Sequence, residues 1–94
     1  MEKKPSIMNI RCVAFGLMHS EDENIRIIGY ILEDRIKNYD EAEISKVRVY
    51  TLGGIKGILD MLFLQRVLPA SVYTDSIHEI QNAIEYWQIN KNIL

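Results

Sequence analysis

Lys46-Val47-Arg48-Val49-Tyr50-Thr51-Leu52-Gly53-Gly54-Ile55-Lys56-Gly57-Ile58-Leu59-Asp60-Met61-Leu62-Phe63-Leu64 decides the fold, because two adjacent glycines interrupt an otherwise apolar run. Glycine is a poor helix former and a common mark of a boundary, so Gly53-Gly54 reads as the end of one element and the start of another. Before the glycines, residues 46–51 alternate and are rich in β-formers. That stretch is either a helix running to Leu52 or a short strand over 47–51, and helix is the preferred reading. After them, nine of the fourteen residues from Ile55 to Leu68 are large and apolar, and Pro69 follows as a stop. This segment is the expected hydrophobic centre.

Working outward, a capping-box spacing at Asp40 and Glu43 predicts a helix start there, with Ile44 and Val47 facing inward. Upstream, Ser20 and Glu23 repeat that spacing. Ile25, Ile28, Leu32, Ile36 and Tyr39 then recur at steps of three and four, which predicts a helix from about 21 to 38. Residues 7–18 follow Ser6 as a possible N-cap, with Ile7, Ile10, Ala14 and Leu17 on one stripe. Downstream, Ser76 and Glu79 give the same cap spacing, and Ile77, Ile80, Ile84 and Trp87 form the buried stripe of a final helix starting near 74–76. The expected fold is all-α, a compact bundle of about five helices in one domain spanning 1–94. The alternative is α+β, with a short hairpin pairing 9–15 and 46–51.

Composition narrows function without naming it. The 94 residues are 48% hydrophobic and 26% charged, with a net charge of -2. Such a chain can bury a core and does not present the strongly basic surface of a nucleic-acid binder. The longest apolar stretch carries Lys56, Asp60 and Arg66, so no membrane span is expected. The basic start at residues 1–4 and the apolar run 7–18 resemble parts of a secretory signal, but Asn9 and Arg11 interrupt the run and an acidic stretch replaces the cleavage site. Residues 7–18 are therefore expected in the core. A single cysteine, Cys12, allows no internal disulfide and points to a reducing, cytoplasmic setting, with the thiol itself buried.

No motif for catalysis stands out. Gly53 to Gly57 with Lys56 is the best anion-site candidate, since helix-start N–H groups attract phosphate, but it lacks the spacing of a phosphate loop. His78-Glu79 begins like a zinc-protease motif, yet position 82 is Asn where a second His is needed. His19 with Glu21, Asp22 and Glu23 reads as a capped, acidic helix start. No enzyme, cofactor or metal is expected.

The surplus of apolar residues points instead to a protein–protein interaction module, a small regulator, inhibitor or adaptor and a possible homodimer. The expected partner-binding residues are Met18, Met61, Phe63 and Leu64, with Met8 also left at the surface. The alternative is a small DNA-binding regulator using Lys46, Arg48, Tyr50 and Lys56 beside a helix-turn-helix, the turn falling at the paired glycines. Against it, residues 55–68 offer few polar groups to base edges, and the final helix, with His78, Gln81, Asn82 and Lys91, also carries Asp75, Glu79 and Glu85.

Overall fold

The computed structural model describes residues 4–89 as four helices and no strand: α1 (Met8–Met18), α2 (Glu23–Glu41), α3 (Ser45–Leu64) and α4 (Ala70–Ile89). The count of about five is corrected to four, and the hairpin alternative is not found, because α3 passes straight through Gly53 and Gly54. Each mid-helix glycine costs about 1 kcal/mol relative to alanine. Leu52, Ile55, Leu59 and Leu62 recur at steps of three and four on one side of α3, and all are fully buried. Burying each contributes about 1.5–3 kcal/mol, which outweighs the glycines together.

α1 packs on α2, α2 on α3, α3 on α4, and α1 closes the ring against α4, while the diagonal backbones do not approach within 8 Å. The connections hold only residues 19–22, 42–44 and 65–69. Neighbours run antiparallel: Arg11 near the start of α1 forks onto Asp40 near the end of α2 at 2.7 and 2.8 Å, and Arg48 at the start of α3 meets Trp87 at the end of α4. The core holds Ile10, Ala14, Leu32, Ile36, Leu52, Ile55, Leu59, Leu62, Ile80 and Ala83. At its closed end, the buried Trp87 Nε1 donates to the Tyr39 hydroxyl at 2.8 Å, and burial raises the Tyr39 pKa above its ordinary value.

The helix ends explain most departures from expectation. Asp22, not Ser20, caps α2, its carboxylate accepting from the Asn24 and Ile25 amides at 2.9 and 3.2 Å. Asp40 lies inside α2 and pairs with Arg11, so it starts nothing, and Ile44 and Val47 face outward. α3 stops before Pro69: Arg66 takes a left-handed φ of 61°, and the Arg66 and Val67 amides return to Phe63 and Leu62 carbonyls in a Schellman turn. α4 starts at Ala70, which places Ser76 in its interior, fully buried. Cys12 is exposed, because the buried stripe of α1 is Ile10, Val13, Ala14 and Leu17.

Glu79 is not an N3 cap of its own helix. Its two carboxylate oxygens accept from the Asn9 and Ile10 amides at 3.0 and 3.1 Å, so α4 caps the N-terminus of α1, whose N-cap residue Ile7 provides no side-chain bond. A carboxylate there satisfies two orphan donors and opposes the helix dipole. Glu79→Ala is expected to lower stability by about 1–2 kcal/mol and Glu79→Gln by less, read from urea denaturation of both variants.

Candidate interaction surface

α3 buries one side and leaves the opposite side bare. Val47, Tyr50, Gly54, Gly57, Met61 and Leu64 recur at steps of three, four, three, four and three, so they form one stripe along the helix. Tyr50 is 84% exposed, Leu64 79%, Val47 45% and Met61 38%. The stripe carries no charge, whereas a solvated helix face ordinarily holds charged and polar residues. A Cβ built at Gly53, Gly54 or Gly57 would meet nothing within 4 Å, so nothing in the fold requires glycine there.

A groove of about 620 Å³ flanks the stripe, bounded by Arg35 and Asn38 of α2 and by Tyr50, Gly53 and Gly54 of α3. With α2 antiparallel to α3, that register brings the exposed Ile31 and Ile27 of α2 level with Gly57 and Met61. Apolar surface thus continues from α3 onto its neighbour. Contiguous exposed apolar surface of this kind marks partner sites.

The structure separates the residues expected to act together. Met61 and Leu64 lie on the stripe, but Phe63 turns away and stacks on Tyr73 of α4, centroids 4.3 Å apart. Met18 is half-buried on α1, which makes no backbone approach to α3. The basic set is also divided. Lys46 is exposed beside the stripe, Arg48 lies over the Trp87 ring, and Lys56 Nζ donates to Asp60 Oδ2 at 2.8 Å. The turn that a helix-turn-helix needs at 53–54 is absent, since α3 is continuous. Residues 1–3 and Lys91 lie outside the described residues.

No protein family, curated protein or solved structure matches this chain. The reading of function therefore rests on its own geometry. Among the described residues no helix is long and apolar enough to cross a membrane, and no group of three or more His, Cys, Asp or Glu side chains is placed to hold a metal ion. Glu79 of the His78-Glu79 pair is spent on α1, and His19 Nδ1 donates to the Phe15 carbonyl at 2.8 Å.

The Gly53–Gly57 segment is mid-helix, so its N–H groups are not the free donors of a helix start. Asp60 beside it accepts from Lys56 and from the Tyr73 hydroxyl. These bonds, that of Lys56 first, hold its pKa below the ordinary value, and the bonds to Asp60 raise those of Lys56 and Tyr73. This trio locks α3 to α4.

Val47, which the cap spacing placed inward, and Gly54 and Gly57 are not expected on one exposed face from sequence. The signal for them is the three-four repeat on the side opposite Leu52, Ile55, Leu59 and Leu62, which hydropathy hides because glycine contributes little to it.

Proposed function

We propose that the protein is a non-enzymatic interaction module that pairs with a second copy of itself along the outward stripe of α3. The observation that carries this reading is the stripe's composition about its midpoint. In an antiparallel two-fold pairing, Gly54 of one copy falls opposite Gly57 of the other, Tyr50 opposite Met61, and Val47 opposite Leu64. Such an interface is self-complementary, as a two-fold contact must be. The glycines at the crossing let the backbones approach closely, and the larger residues fill the diverging ends. Tyr50 against Met61 adds a favourable sulfur–aromatic contact. The reading also supplies a reason for exposed glycines that cost the lone chain helix stability.

Sedimentation equilibrium across a wide concentration range tests it. The protein is expected to dimerise with rising concentration, and Gly54→Glu is expected to remain a folded monomer, because that position has open space in the single chain. A wild-type protein that stays monomeric at the highest soluble concentration, or a Gly54→Glu variant that dimerises equally well, would overturn the proposal.

A further inference from the structure

At the end of the bundle where α1 and α3 start and α4 ends, Lys4, Arg11, Tyr39, Asp40, Arg48 and Trp87 line a notch of about 180 Å³. We propose that this notch binds the phosphate group of a small phosphorylated molecule.

Arg48 is the centre of the argument. Its guanidinium carbon lies 4.2 Å from the centroid of the Trp87 ring. Its side-chain N–H groups have no hydrogen-bond or ion-pair partner among the described residues. A guanidinium over an aromatic face is held by cation–π attraction, which leaves its donors free in a fork suited to two oxygens of one anion. The platform is fixed in turn, because Trp87 is buried and its ring N–H is tied to Tyr39. A binding group held by packing and by a supporting hydrogen bond is preorganised.

The charge balance favours a dianion. Arg11 is committed to Asp40 through two hydrogen bonds, and that pair is neutral as a unit. Lys4 and Arg48 remain, giving +2 at the notch. A phosphate monoester carries about -1.5 to -2 at pH 7. The notch has room for a phosphate group and is open to solvent on one side. The rest of the ligand must extend into solvent.

Trp87 is the protein's only tryptophan, so its fluorescence reports on the notch directly. The test is a titration of the full chain with inorganic phosphate and then with methyl phosphate, at constant ionic strength maintained with sodium chloride. A saturable change in Trp87 emission is expected with both. Arg48→Gln is expected to weaken binding by about tenfold or more, as loss of a charge-assisted fork does, and Lys4→Gln by about threefold.

Absence of a saturable change with either phosphate overturns the proposal, as does equal affinity in a folded Arg48→Gln variant. Acetate saturating the signal as tightly as phosphate overturns the assignment of a dianion. If Arg48→Gln fails to fold, Lys4→Gln decides, because Lys4 is exposed at the chain start; unchanged phosphate affinity in it overturns the proposal.

Discussion

Gly29→Ala is expected to cost about 3 kcal/mol, at the upper end of what overpacking a core does. Gly29 is buried where α2 crosses the last turn of α1. A Cβ there would lie 2.6 Å from the Met18 amide nitrogen and 2.8 Å from both the carbonyl carbon and the Cβ of Leu17. Backbone atoms cannot rotate aside, so α2 must lift off α1. For a domain of this size the loss corresponds to roughly 12–24 °C in Tm, read by circular dichroism. The opposite result is expected at Gly54, where alanine has open space. There, Gly54→Ala removes a helix penalty and raises monomer stability by about 0.5–1 kcal/mol. A small loss at Gly29 would mean that α1 and α2 do not pack as described.

Leu59→Ala is expected to cost about 3–4 kcal/mol, since Leu59 is fully buried at the middle of α3 and its removal leaves a cavity. Met61 lies two residues on, 38% exposed on the other side of the same helix. Met61→Ala is expected to change the stability of the dilute chain by less than about 0.5 kcal/mol. The comparison, by urea denaturation at low protein concentration, tests which side of α3 faces the core. At high concentration Met61→Ala should also weaken the proposed self-pairing, so its effect on Tm grows with concentration while that of Leu59→Ala is present throughout.

How far the fold could be read from sequence varies by element. The body of α2 was legible, because Leu32, Ile36 and Tyr39 recur with helical period, but its cap and its end were misplaced, Asp22 capping it and Asp40 lying inside it. The buried stripe of α4 was legible around Ile80 and Trp87, but its start was misplaced, since Ser76 and Glu79 have cap spacing while Ser76 is buried inside α4 and Glu79 caps α1. α3 was misread as two elements. Local propensity at Gly53-Gly54 argued for a break, and the burial of Leu52, Ile55, Leu59 and Leu62 overrode it, a tertiary effect that no short window contains. Of the residues expected to meet a partner, Met61 and Leu64 share the outward stripe of α3 and Phe63 does not, because its stacking on Tyr73 depends on how α4 returns along α3. The notch around Arg48 draws on residues from 4 to 87, so no spacing in the sequence could have assembled it.

The carboxylate of Glu79 on the Asn9 and Ile10 amides joins positions 70 and 69 residues apart. The first turn of α1 therefore gains this cap only when α4 has been made and docked, and loses it when α4 leaves. α1 precedes α4 in the chain, yet its first turn is capped only after α4 arrives. Opening at either edge of the α1–α4 seam becomes one cooperative event rather than two independent frayings.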